Sequence, residues 1–173
     1  MSIICVSKTW EELTKEELYR IIQLRIEGFI VNNGTCYQDL EQYYDHNGWY
    51  LMHYDSVQGM HPQAMVGATQ YCTLKTFYGD DGEAYSYPAW RRQVWVPGYR
   101  DPKEEQRHAI AAAMKYTGSH MTMCEVMEER FAQHIIGLGW KLITKEPYLD
   151  DAGRPNWVMI PDGERFKEMY DIK

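Results

Sequence analysis

The chain has 173 residues, 45% of them hydrophobic and 25% charged, with a formal net charge of −7. That length and apolar share allow one domain, residues 1–173, with its own core and without disulfide staples. The acidic balance, with no lysine-rich run and no basic tail, argues against duplex nucleic acid, whose affinity comes largely from phosphate neutralisation.

In chain order, Ile3 to Val6 reads as a short β-branched strand. Thr14 to Glu17 spells a T-x-x-E capping box, and the helix after it places Leu18, Ile22, Ile26 and Phe29 on one stripe. Asn32-Asn33-Gly34 punctuates its end. Residues 35–47 are acidic and aromatic and predict one irregular helical turn. Strands follow at Trp49 to Tyr54, Ala64 to Leu74 and Arg92 to Val96. Asp101-Pro102-Lys103-Glu104 is the clearest local signal, with Asp as N-cap, Pro at the first helical position and Glu in the capping-box position. The helix it starts runs over Pro102–Tyr116. Met121 to Val126 is a strand and Glu128 to Leu138 a helix stopped by Gly139. Lys141–Thr144 and Asn156–Ile160 predict a final strand pair, and Gly163–Tyr170 a terminal helix.

Antiparallel strands followed by a β-α-β crossover argue an α/β (α+β) fold, a mixed and mostly antiparallel central sheet with helices on both faces. Cys5, Cys36, Cys72 and Cys124 form no CxxC pair and have no histidine cluster beside them, which argues against a metal site. The N-terminal stretch lacks a signal-peptide pattern, and no apolar run reaches the length of a bilayer span. A cytoplasmic protein with no membrane partner is the expectation. Fourteen Tyr, six Trp and four Phe supply either amphipathic rings for core and surface or an aromatic-lined cleft.

Several stretches resemble the GCN5-related N-acetyltransferases. Leu24-Arg25 with Phe29 and Val31, then Cys36-Tyr37-Gln38-Asp39, look like the first helix and loop of small bacterial members. Gly67-Ala68-Thr69-Gln70 stands where those carry a G-x-x-R strand, Val94-Trp95-Val96 where their central strand precedes the cofactor loop, and Gly139-Trp140 is similar to the Gly-Phe end of their penultimate helix. Weaker similarity links Glu41 to Asp45, Trp49-Tyr50-Leu51 and Trp90 to the acyl-homoserine-lactone synthases. Trp90-Arg91 and Gln70 depart from the residues that shape the pocket in those synthases.

The resemblance implies acyl transfer from acetyl-CoA or another acyl-CoA, or from an acyl-carrier thioester, to an amine of a small molecule or a protein. It places the cofactor along Val94, Trp95 and Val96 and at the start of the next helix, near Arg100, Lys103 and Arg107. The matching loop there has no glycine, and Asp101 and Pro102 take the place of free N–H donors. Candidate bases are Glu125, Asp39 and Asp45, each of which also reads as a solvated or paired carboxylate. His134 adjoins Ile135, which holds the position of the family's usual acid, and is either that acid or an exposed helical histidine. Arg25 and Asp45, with Trp90 and Arg91, are the substrate-binding candidates. Arg25 alternatively pairs with a loop carboxylate such as Asp39. The missing glycines leave a second reading, a catalytically inactive protein of this fold. It would bind a protein partner through the aromatic-basic stretch of Tyr85, Tyr87, Trp90, Arg91 and Arg92.

Overall fold

A computed structural model describes residues 2–32, 40, 42–149 and 153–172. The chain divides into two compact units, Met1–Thr73 with Arg91–Ala112, and Leu74–Trp90 with Ala113–Lys173. Strands β3 (Met65–Tyr78) and β4 (Ala84–Trp95) and helix α3 (Pro102–Thr117) contribute residues to both. The sheet is mixed and mostly antiparallel. Only β4 with β5 (Met123–Val126) is parallel, and that pairing spans just Ala89 opposite Met123 and Trp90 opposite Cys124.

In the first unit β1 (Ile3–Thr9) runs antiparallel to β2 (Gly48–Asp55), which pairs with β3. Seven of the eight β2 residues are buried, as expected for a strand covered on both faces. Its register against β3 shifts between His53 and Tyr54. Helix α1 (Lys15–Arg25) starts at the expected capping box, where Thr14 Oγ1 accepts from the Glu17 N–H at 3.1 Å and Glu17 Oε2 from the Thr14 N–H at 2.9 Å.

Its buried face, however, is not the Leu18–Ile22–Ile26 stripe. Glu17, Ile21, Leu24 and Arg25 point inward, and Ile26 is exposed. The reason is polar: Glu17 meets Lys8 at 2.8 Å and the Tyr54 hydroxyl at 3.2 Å, and Arg25 meets Asp45. Two charged residues with interior partners turn the helix roughly one residue from its apolar stripe, and one residue is about 100°. Beyond Arg25 the chain widens into a π-helical stretch, Ile26–Asn32. There Gly28 passes so close to β4 that a Cβ would lie 2.5 Å from Val94 Cγ2. The irregular turn expected in residues 35–47 is α2 (Gln42–His46), while residues 33–39 and 41 lie outside the described residues.

In the second unit β5 pairs with β8 (Pro155–Pro161), which also carries β6 (Trp140–Leu142) and the two-residue β7 (Tyr148–Leu149). The expected final strand pair is thus present, with β7 as an addition too short to leave a sequence pattern. Helix α4 (Glu129–Gly137) buries Ala132 and Ile135. Gly139 follows at φ +86°, a left-handed turn that suits a residue without Cβ and delivers Trp140 to the core. Phe166 of α5 (Gly163–Tyr170) meets Trp140 edge-on at 6.1 Å and is fully buried. No helix among the described residues is long and apolar enough to cross a membrane.

The β3 and β4 strands are longer than their sequence pattern predicts. Their tip alternates half-buried Lys75 and Phe77 with exposed Leu74, Thr76 and Tyr78, and Thr76 bonds Ser86 across the hairpin at 2.6 Å. Such a ribbon mixes polar and apolar residues on each face, so it has no clean period-two signal.

Candidate functional site

Helix α3 begins as a closed cap. Asp101 Oδ1 accepts from the N–H groups of Lys103 at 3.0 Å and Glu104 at 3.2 Å, and Pro102 has no N–H to offer. Arg107 bonds Glu104 at 3.1 Å, and Arg100 Nε bonds Glu105 Oε2 at 3.1 Å. Lys103 is exposed. Arg107 and Arg100 are thus paired with Glu104 and Glu105, while Asp101 takes backbone N–H groups and the Lys103 ammonium has no ion pair among the described residues. A diphosphate needs free backbone donors and uncommitted positive charge at such a helix start. The residues here do not fit one.

Glu105 is the centre of this region, and nothing in the sequence marks it. Its carboxylate is buried and receives Thr69 Oγ1 at 3.3 Å, Trp95 Nε1 at 3.2 Å, the Gln93 amide and Arg100. Burial pushes its carboxyl above the ordinary range, against the lowering pull of Arg100 and the Gln93 and Trp95 hydrogen bonds. The Trp95 ring also covers Gly67, where a Cβ would stand 2.6 Å from it. Of the three strand residues expected along a cofactor, Val94 belongs to the hydrophobic core beside Ile21 and Leu24, and Val96 donates its N–H to Val66 O at 2.8 Å. Trp95 is committed to Glu105 and to the ring of His53, 4.2 Å away. Arg92 sits at φ +49° in the interior of β4, two residues past the last β4–β5 pair at Trp90. A non-glycine residue there marks a bulge that re-aims the strand.

Arg25 and Asp45 are brought together in the first unit, 3.4 Å apart, with Arg25 only 2% exposed. The Gln70 amide donates to Asp45 Oδ1 at 3.1 Å and the Tyr50 hydroxyl to Asp45 O at 3.0 Å. The loop carboxylate that meets Arg25 here is thus Asp45. Asp39, the other candidate, lies outside the described residues. Gln70, read from sequence as a replaced arginine, is the hinge of this cluster: an arginine there would face Arg25 across a single carboxylate.

In the second unit Glu125 projects from β5, four-fifths buried, and its carboxylate accepts from the Lys75 ammonium and the Tyr148 hydroxyl. Phe77 lies 5.5 Å from the Tyr148 ring, and Lys75 sits over Phe77. Register explains the assembly: Glu125 opposes Val158, and Tyr148 opposes Asn156, two residues along the same strand and so on the same face. The carboxylate thus has a cationic donor on one oxygen and a phenol with an exchangeable proton on the other. His134 is exposed on α4 and stacks on Phe131, which is the surface-histidine reading.

Trp90 and Arg91 are on neither an edge nor an open patch. β4 has neighbours on both sides, and the Trp90 ring packs 6.0 Å from buried Trp140. Tyr85 donates to Asp81 at 2.6 Å. The sequence therefore missed Lys75, Gln93, Glu105 and Tyr148. Lys75, Gln93 and Tyr148 each meet their carboxylate across at least 12 residues of chain, and no local spacing announces such a pair.

No family model matches the chain, and no curated protein matches it in sequence. Solved structures do match in fold. An acyl-CoA N-acyltransferase from Pseudomonas aeruginosa superposes with a TM-score of 0.70 at 20% identity, over 92% of this chain and 99% of its own. Escherichia coli ElaA gives 0.68 at 16% identity over the same shares. BjaI, described as a CoA-dependent acyl-homoserine lactone synthase, gives 0.66 at 13%, over 98% of this chain and 89% of its own. The chain has the fold of the GCN5-related N-acetyltransferases and the lactone synthases related to them.

Proposed function

We propose that the chain is an acyltransferase that moves an acyl group from a thioester to an amine. The observation that carries this reading is the half-enclosed Glu125 carboxylate, ringed by Lys75, Tyr148 and Phe77 on a strand of a fold shared with N-acyltransferases. The amine nitrogen attacks the thioester carbonyl, a C–N bond forms and the C–S bond breaks. Glu125 accepts the proton that the nitrogen loses. Tyr148 gives its phenolic proton to the leaving sulfur and recovers one from Glu125 through their hydrogen bond, so the protein ends as it began. Lys75 holds the Glu125 carboxylate in place through their ion pair and exchanges no proton in the reaction. The acceptor is an amine of a small molecule or a protein.

The test is thiol release from hexanoyl-CoA and hexanoyl-pantetheine against a panel of amines. Glu125→Gln and Tyr148→Phe are each expected to lower turnover by roughly 10²–10⁴-fold, the usual share of acid–base catalysis. Unchanged turnover in both variants, with unchanged melting, would remove Glu125 and Tyr148 from the chemistry.

A further inference from the structure

We infer that this protein takes its thioester donor by the acyl-pantetheine arm and offers the diphosphate of a coenzyme A no site at the start of α3. The inference rests on the acyl-transfer reading for the identity of the donor, but its structural argument is independent of catalysis.

A nucleotide diphosphate gains its affinity at a helix start from three sources: free N–H groups, the positive helix end and mobile cations. Within the first turn of α3 the N–H groups and the helix end are used, and two of the three cations are paired, which leaves the exposed Lys103 ammonium as the one without an ion pair among the described residues. The N–H groups of Lys103 and Glu104 end on Asp101 Oδ1. The Glu105 N–H ends on Asp101 O at 2.9 Å. Arg107 answers Glu104, and Arg100 answers Glu105. Glu105 is not a surface ornament that a ligand could push aside. It is 5% exposed and holds Thr69, Gln93 and Trp95 as well as Arg100, so freeing Arg100 would strip a buried carboxylate of its cation. An incoming diphosphate would meet Asp101 and Glu104 and would have to displace an internal anion at the same time. The protein has in effect built the anion into the helix.

The pantetheine arm is neutral and makes no such demand, and it has two sources: free coenzyme A thioesters, or phosphopantetheine tethered to a carrier protein. Three measurements on the intact protein decide the matter. In the first, adenosine 3′,5′-bisphosphate at millimolar concentration is titrated while the backbone amide signals of Lys103, Glu104 and Glu105 are followed by NMR. These signals are expected to stay still, and a saturable shift overturns the inference. In the second, turnover is compared on hexanoyl-CoA, hexanoyl-pantetheine and a hexanoylated carrier protein. Equal values, or a preference for the carrier, agree with the inference. A preference of about tenfold or more for the coenzyme A thioester over the pantetheine thioester, about 1.4 kcal/mol, overturns it. Still amide signals with no turnover on any thioester leave the closed start of α3 standing and discard the acyl-transfer reading, and with it the pantetheine donor. In the third, Asp101→Gly releases two N–H groups, and adenosine 3′,5′-bisphosphate should now shift the Lys103 and Glu104 signals. If that variant folds and they stay still, Asp101 is not the block.

Discussion

His53 should make this protein acid-sensitive well above the range where its carboxylates titrate. Its side chain is fully buried where the β2 register shifts, and neither ring nitrogen has a hydrogen-bond partner among the described residues. Trp95 lies 4.2 Å from the ring, and the His108 ring 6.4 Å. Burial, with a smaller push from His108, lowers the His53 pKa from 6.5 to about 3. As pH falls below 6.5 the unfolded chain takes up a proton that the folded protein refuses. The stability contribution is therefore complete above pH 6.5 and drains away as pH falls toward 3. One pKa unit is worth about 1.4 kcal/mol, so at pH 5 the loss from this one group is about 2 kcal/mol. Once pH reaches 3 it is about 5 kcal/mol, comparable with the whole stability of many domains. Urea unfolding of the wild type and of His53→Leu between pH 7.5 and about 4.5 isolates the effect, since other groups titrate alike in both. The cost of the substitution at neutral pH is a constant offset. The difference in unfolding free energy between the two proteins should shift by about 2 kcal/mol from pH 7.5 to pH 5 in favour of the variant. Parallel curves, or an NMR titration placing His53 near 6.5, would refute the reasoning.

Two further perturbations test the packing of the first unit. Gly28→Ala puts a methyl 2.5 Å from Val94 Cγ2 and should destabilise by about 1–3 kcal/mol, most of it recovered in the double variant with Val94→Ala, as measured by thermal melting. Asp45→Asn removes the charge from the carboxylate that Arg25 and Gln70 bond and should lower stability by about 1–3 kcal/mol in urea unfolding, and full stability in this variant would mean that the Arg25–Asp45 pair contributes little.

Helix starts and stops were legible because they are written in neighbouring residues. The capping box at Thr14, the Asp101-Pro102 start and the Gly139 turn all stand where the sequence puts them. So does the absence of a glycine-built anion loop before α3, which follows from Asp101 and Pro102 by local chemistry alone. The order of strands and helices along the chain followed from the same punctuation, and with it the fold class.

What the sequence could not reveal is which polar residues turn inward. The apolar stripe of α1 pointed to Leu18, Ile22 and Ile26, yet the structure buries Glu17 and Arg25 instead, because Lys8, Tyr54 and Asp45 wait for them. Glu105 looked like one more charge at a helix start and is a buried carboxylate held by Thr69, Gln93, Trp95 and Arg100. Glu125 was visible as a carboxylate on a strand, but its partners Lys75 and Tyr148 come from strands 50 and 23 residues away. Capping is a contest among residues within one turn, so sequence decides it. Burial of a charge depends on a partner supplied by another strand, and only the tertiary fold brings that partner within reach.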